Sequence, residues 1–294
     1  MATILFSTTD LHGQREREFA QLLTSIGRNA ASGADMRLYV LVQNCTPAEL
    51  AALREQVPPC CRLTAIEGRC SLSTARNGLI GIALAEAAPG RDDVVGFPDD
   101  DCWYPDLLVP SLTDTFAALP DLDILLCRVA RQPSEKPVAA EEVRPAAVRE
   151  VVRLSTSNSL FLRGSAFLRV GAFDPELGVG TVNGGGEDTD YAIRALLTAG
   201  QAGLIDRALV AHPEPDLASA AKYYRGALIV LARHARRRPA LMFEFLRKIL
   251  VGCYFVSRRR LSPRLLLAAL GAAARNVSPP APPPLRLGSK APKV

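Results

Sequence analysis

Over its first two hundred residues the chain alternates between short apolar runs and longer stretches where apolar residues recur three or four positions apart. Residues 3–7 are one such run, stopped by Thr8-Thr9-Asp10, and read as a first strand. Phe19, Leu22, Leu23 and Ile26 then fall on one face of a helix. Residues 38–42 give a second strand halted by Gln43-Asn44-Cys45-Thr46-Pro47, residues 48–56 a helix, and residues 62–66 a third strand. Residues 71–77 open a helix running to about Ala88, with Ser71 and Ser73 as caps. A strand at 94–97 follows, then strands at 123–129 and 157–163. Between those two, residues 132–153 are polar, alternate in charge and carry several prolines, which predicts a mobile excursion over a site. A turn-rich stretch from Val170 leads to Gly184-Gly185-Gly186. From Glu187 a helix places Ala192, Ile193, Leu196 and Leu197 on one face and stops at Gly200, and residues 204–211 are a last strand.

Strands alternating with helices predict βαβ units: an α/β fold of three layers, with a mostly parallel sheet between helices. Ligands of such sheets gather at the carboxyl ends of the strands. Thr8, Asp10, Gln43 and the aspartates at 99, 100 and 101 all stand at predicted strand exits, so one crevice can hold them. Beyond Lys222 the pattern changes to helices alone. Residues 241–256 are nearly all apolar and end in Arg258-Arg259-Arg260, residues 265–274 form another apolar helix, and prolines dominate from Val277. The expected division is a domain over 1–214, a helical extension over 215–276 and a disordered Pro-rich tail over 277–294.

The formal charge of +5 is modest, but basic residues crowd the last quarter of the chain. That clustering points to an anionic surface. Few aromatics interleave with the basic residues outside apolar runs, which argues against nucleic acid and leaves peripheral contact with an anionic membrane. No run of eighteen apolar residues occurs, and the first residues lack a basic leader. The seven cysteines are odd in number and show no Cys-x-x-Cys or zinc spacing. A cytoplasmic protein with reduced thiols, at most peripheral at the inner face of the membrane, is expected.

The strand at 94–97 ends in Asp99-Asp100-Asp101, followed by Cys102-Trp103-Tyr104-Pro105. Three desolvated carboxylates repel one another unless a cation lies among them. Oxygen ligands favour a hard divalent ion, Mn²⁺ or Mg²⁺, which completes its shell with substrate phosphate. An acidic loop capping the next helix would show the same residues. Glu187, Asp188 and Asp190 sit in a first helical turn, where the dipole accounts for one or two acids. Three acids after three glycines exceed what capping needs, and the glycines let a ligand approach the backbone.

Together these segments resemble the inverting family-two glycosyltransferases of bacterial type, which have the GT-A fold. Leu72-Ser73-Thr74-Ala75-Arg76-Asn77-Gly78 is similar to that family's Arg-Asn helix start. The triple aspartate with Trp103 and Pro105 is similar to its metal-binding motif, and residues 170–174 with 186–190 to its acceptor-side Glu-Asp segment. The resemblance covers about residues 3–235, since His212 and the residues from Lys222 to His234 suit the closing pattern. It implies transfer of a sugar from a nucleotide-sugar to the hydroxyl of a glycan or lipid-linked acceptor, in surface polysaccharide or glycolipid synthesis.

The resemblance also implies roles. Thr8 and Asp10 would meet the nucleoside. Asp99 or Asp100 would do so too, with Asp101, Asp99 and His212 on the metal. Arg76, beside Asn77, would bind phosphate or uracil oxygens, Trp103 would stack on a sugar, and Asp190 would touch substrate or serve the helix turn. Asp188 would be the general base, with Glu187 as second choice and binder of acceptor hydroxyls. Gln43-Asn44 departs from the pattern, because many relatives carry an aspartate there that contacts the base.

Two other functions compete. A nucleotidyltransferase would need a glycine-rich, basic phosphate loop after the first strand, and Thr8-Thr9-Asp10-Leu11-His12-Gly13-Gln14-Arg15 has one glycine. A non-catalytic, membrane-associated protein with a degenerate transferase domain would not need the intact triple aspartate and Glu-Asp pair.

Overall fold

The computed structural model describes residues 1–213, 221 and 223–277. The boundary expected at 214 and the tail beyond 277 lie outside the described residues. β1 (Thr3–Asp10) alternates as its sequence dictates: Ile4 and Phe6 enter the apolar layer on one face of the sheet, Leu5 the layer on the other. α1 (Glu16–Ala31) covers the Leu5 face with Phe19, Leu22, Leu23 and Ile26, as their spacing predicts. β2 (Met36–Gln43) and β3 (Cys61–Ala65) flank a short α2 (Pro47–Arg54), which starts on a Thr46–Glu49 capping box. α3 (Leu72–Ala87) is capped by the Ser71 hydroxyl, which accepts from the Thr74 amide.

β4 (Val94–Gly96), α4 (Leu108–Ala118), β5 (Leu122–Ala130), β6 (Arg144–Pro145), α5 (Val148–Leu154), β7 (Leu160–Arg163), α6 (Gly164–Val170), α7 (Glu187–Thr198) and β8 (Gln201–Ala211) complete one sheet of order β3-β2-β1-β4-β7-β5-β8-β6. β1, β2, β3 and β4 run parallel, as do β5 and β8. β7 is antiparallel to both β4 and β5, and β6 to β8. The reversal of β7 places the start of that strand at the same sheet edge as the ends of β1, β2, β4 and β8.

Two expectations change. Residues 157–159 are a single 3-10 turn rather than strand, because their polar groups turn to the carboxylates described below. The polar stretch 132–153 is built rather than loose: β6 extends the sheet, Val151 of α5 is buried, and Arg144 forks onto Glu150. Gly203, without a Cβ, lets Val143 close on the strand there.

The extension comprises α8 (Tyr224–His234), α9 (Pro239–Ser257) and α10 (Pro263–Arg275). Val230, Leu231 and Leu241 pack with Leu177 and with Ile193 of α7, so α8 docks on the main layer. Among the described residues no helix is long and apolar enough to cross a membrane.

The glycines before α7 serve this docking. A Cβ on Gly226 would lie 1.9 Å from the Gly185 carbonyl oxygen, and one on Gly186 2.8 Å from the Gly226 carbonyl carbon. At Gly185 and Gly186 it is Tyr223 and α8 of the protein itself that approach the backbone. Gly226→Ala is therefore expected to destabilise the protein by about 2–3 kcal/mol through overpacking, although alanine at an unconstrained helix position stabilises by about 1 kcal/mol. Urea unfolding decides between the two signs; an unchanged or raised midpoint would refute the close approach.

Candidate active site

β4 ends where Pro98 removes a ladder donor. The next amide, of Asp99, donates to Asn158 Oδ1 at 2.6 Å. Asp99 Oδ1 accepts from Arg76 Nη2 at 2.9 Å and Ser157 Oγ at 3.1 Å, and its Oδ2 from Asn158 Nδ2 at 2.9 Å. Burial raises the Asp99 pKa, with Asp188 and Asp101 adding to the rise and Arg76 opposing it. Asp100 is buried between Thr9 Oγ1 at 2.8 Å and Arg15 Nη1 at 2.8 Å, and burial raises its pKa too. Asp101 meets the same Arg15 nitrogen at 3.0 Å. For Asp101 burial acts upward, but His212 and Arg15 outweigh it and hold the carboxyl below the ordinary range.

His212 follows β8, whose last residue Ala211 pairs with Trp103 through the backbone and brings the two segments together. His212 Nδ1 lies 2.6 Å from the Pro213 carbonyl oxygen, which can only accept. That contact calls for a proton on Nδ1, and although burial pulls the His212 pKa down, Asp101 outweighs it and raises the pKa, favouring a second proton on Nε2. Nε2 stands 3.3 Å from Asp101 Oδ1, an oxygen buried without a hydrogen-bond partner among the described residues. A cation taking the place of the Nε2 proton would meet lone pairs of both atoms. Asp99, Asp101 and His212 offer ligand atoms that all lie within 4.8 Å of one another. The donor set fits a divalent cation.

The second pair of acids enters from α7. Gly186, at φ 95°, starts the helix in a conformation other residues adopt at a penalty, and sets Glu187 and Asp188 in the first turn. Asp188 Oδ1 accepts from Arg76 Nη1 at 2.7 Å and its Oδ2 from the Ser157 amide at 3.0 Å. Arg76 is 1% exposed and lies over the Phe173 ring at 5.2 Å. One guanidinium and one serine thus tie Asp99 of the first acidic set to Asp188 of the second. Glu187 is 6% exposed, and its pKa is raised to about 7 by burial and then by Asp188, with Arg76 opposing.

At the exits of β1 and β2, Asp10 accepts from Asn44 Nδ2 at 2.8 Å and pairs with Arg69 at 3.0 Å. Gln43 Nε2 donates to Thr8 Oγ1 at 3.0 Å, while its Oε1 accepts from the Cys70 amide at 2.8 Å. Thr8, Asp10, Gln43, the three aspartates, Trp103, Glu187, Asp188 and His212 therefore stand along one edge of the sheet or on the elements crossing it.

Three expected binders have other work. Arg76 is buried and both its terminal nitrogens are taken by carboxylates, so it orients acids rather than reaching phosphate or uracil. Asn77 fastens the loop after α6, exchanging hydrogen bonds with the Phe173 backbone at 2.8 and 2.9 Å. Asp190, 4% exposed, accepts from Arg194 Nε at 2.7 Å and pairs with His234 Nε2 at 2.8 Å, joining α7 to α8. Conversely the sequence gives no sign of a site role for Arg15, Arg69, Ser157 and Asn158, whereas Asn44 stood out in it only as part of the Gln43-Asn44 departure from the family pattern. No spacing marks them; they lie in the turns that join strands and helices at this edge of the sheet.

No family model and no curated protein matches the chain. Among solved structures it is similar to S. aureus TarS 1–349 in complex with UDP-GlcNAc, at TM-score 0.63 and 16% identity over 94% of this chain and 82% of that one. Against the longer S. aureus TarS structure the TM-score is 0.60 at 16% identity over 94% of this chain, which spans 54% of that chain, about half its length. A mannosyltransferase from Pyrobaculum calidifontis, in complex with GDP-Man and Mn²⁺, aligns at TM-score 0.54 and 15% identity over 93% of this chain and 75% of that one. The likeness is one of fold: the chain has a glycosyltransferase-like α/β fold of the GT-A type.

Asp190→Ala should lower stability by about 3 kcal/mol, since it strands a buried arginine and histidine. Burial pushes the Asp190 carboxyl up, but His234 and Arg194 outweigh it and hold the pKa below the usual range. The depressed value sets the sign: this contribution is present above the ordinary carboxylate range and is lost as pH falls through the lower one. Chemical unfolding at neutral and acidic pH should show the gap between variant and wild type narrowing on acidification. A gap that widens overturns the assignment.

Proposed function

We propose that this protein is a metal-dependent, inverting glycosyltransferase that moves a sugar from a nucleoside-diphosphate sugar to an acceptor hydroxyl. One observation carries the reading. Asp99, which shares the cation cluster with Asp101 and His212, and Asp188, at the head of α7, are gripped by the same Arg76 and Ser157. A diphosphate grip and a proton acceptor then face one space.

Thr8, Asp10 and Gln43, with Asn44 and Arg69, hold the nucleoside at the exits of β1 and β2. Asp101, Asp99 and His212 hold Mn²⁺ or Mg²⁺, and the imidazole among the ligands favours Mn²⁺. When bound, that ion supplies charge neutralisation for the departing nucleoside diphosphate. Asp188, oriented by Arg76 and the Ser157 amide, accepts the proton of the acceptor hydroxyl. The hydroxyl oxygen bonds to the anomeric carbon from the face opposite the phosphate, the carbon–oxygen bond to phosphate breaks, and the electron pair leaves with the diphosphate. Glu187, with its pKa near neutrality, shares its proton with an acceptor hydroxyl and aligns it. The half-buried Trp103 offers a face for a sugar.

The test is a panel of nucleotide-sugars with Mn²⁺ or Mg²⁺, following release of nucleoside diphosphate. One or two donors should turn over in the wild type, and Asp101→Asn should abolish the metal-dependent reaction. Asp188→Asn should bind donor normally and transfer at least ~100-fold more slowly. Full turnover by that variant would move the base to Glu187.

A lipid-linked acceptor is favoured by the outer face of α9. Phe243, Leu246, Leu250 and Tyr254 are 64, 52, 69 and 52% exposed and recur at helical spacing. Arg258, Arg259 and Arg260 follow directly and are exposed, and from Ala221 to Val277 the sequence holds 13 Lys or Arg against a single acid, Glu244. An anionic bilayer takes both the apolar stripe and the charge. Replacing the three arginines with serine should weaken flotation with anionic liposomes by roughly 100-fold; equal flotation would end this reading.

A further inference from the structure

Arg15, which bridges Asp100 and Asp101, has no task in the mechanism. It closes the loop after β1 as the residue before α1, and its side chain is 52% exposed. A single nitrogen, Nη1, reaches both Asp100 Oδ1 at 2.8 Å and Asp101 Oδ2 at 3.0 Å. Among the described residues Nη2 and Nε make no hydrogen bond, so three of its five N–H donors are unused.

The contrast with Arg76 is instructive. Arg76 is buried, uses two nitrogens on two carboxylates and lies over an aromatic ring, so it is fixed. Arg15 is half in solvent and holds its carboxylates by one nitrogen. With the carboxylates nearly buried but the guanidinium half in solvent, such a pair is screened on one side and exchanges more readily than the buried Arg76 pairs. Asp101 is also a member of the cation cluster, its other oxygen facing His212. The carboxylate that Arg15 neutralises is the one a divalent ion must take.

We infer that Arg15 is a tethered counter-ion: it competes with the divalent cation for Asp101 and, once displaced, turns its free donors to the donor's diphosphate. This rests on the metal site proposed above. Two cationic groups within reach of one carboxylate repel each other, so bound metal pushes the guanidinium away from Asp101. The nearest anion able to accept its planar fork is then a diphosphate held at the same metal. Metal and diphosphate become mutually dependent: without the anion, Arg15 holds the ion off, and with it, Arg15 changes partner.

The test uses the full chain and probes that need no turnover. Mn²⁺ binding, read from the signal of free Mn²⁺ in electron paramagnetic resonance, is compared in wild type, Arg15→Ala, Arg15→Gln and Asp101→Asn. Without any anion, both Arg15 variants should bind Mn²⁺ roughly three- to tenfold more tightly than wild type, while Asp101→Asn should lose the site. Inorganic pyrophosphate should increase Mn²⁺ affinity in wild type and do so less in the Arg15 variants. Equal or weaker Mn²⁺ binding in both Arg15 variants, with the Asp101 dependence intact, overturns the inference and leaves the metal site standing. Absence of Asp101-dependent Mn²⁺ binding in every protein overturns both.

Discussion

A buried guanidinium needs anions around it, and Arg76 has two from separate segments, the exit of β4 and the head of α7. Removing either partner would leave charge stranded in a site closed by Phe173, a change that costs about 3–5 kcal/mol in comparable buried pairs. The fold therefore holds together only if the β4 exit and the head of α7 meet at this arginine. The same requirement sets the distance between a carboxylate of the cation cluster and the proposed base. Stability and chemistry share one contact.

The elements around that contact serve to fix it. Ser157 bonds Asp99 and Asp188 at once, through hydroxyl and amide, and Asn158 brackets Asp99 from its other side. Both residues precede the reversed strand β7, so the reversal is what delivers them to the edge where parallel strands end. Behind α7, Asp190 and His234 lock the helix to α8, and Gly185, Gly186 and Gly226 let the backbones close to contact. The extension thereby braces the helix that carries Glu187 and Asp188. Its outer face remains apolar and basic.

Charge distribution divides the acids by task. Asp99 and Asp100 are both raised by burial, Asp99 held by Arg76, Ser157 and Asn158 and Asp100 by Thr9 and the half-exposed Arg15. Asp101 is held low by His212 and Arg15, and its Oδ1 makes no hydrogen bond among the described residues. Glu187 is raised to about 7 by burial and then by Asp188. Such a spread among neighbouring carboxylates is what separates binding from proton transfer.

Much of this was legible in the sequence because it depends on local order. Alternation in residues 3–7 and 38–42, helical spacing at Phe19, Leu22, Leu23 and Ile26, and acids at a strand exit follow from the chain's own periodicity and need no distant partner. They set out an α/β domain with its candidate site at one sheet edge, whereas the choice of Asp101, Asp188 and His212 within it came from the family resemblance. The antiparallel turn of β7, the burial of Arg76 and the engagement of Asn77 and Asp190 were decided by tertiary structure alone. A side chain's task there depends on which groups lie within about 3 Å of it, and residues 76, 99, 157 and 188 become neighbours only when the sheet is complete. The glycines before α7 make the same point: their need for bare backbone is written in the sequence, but that a helix rather than a ligand presses against them is not.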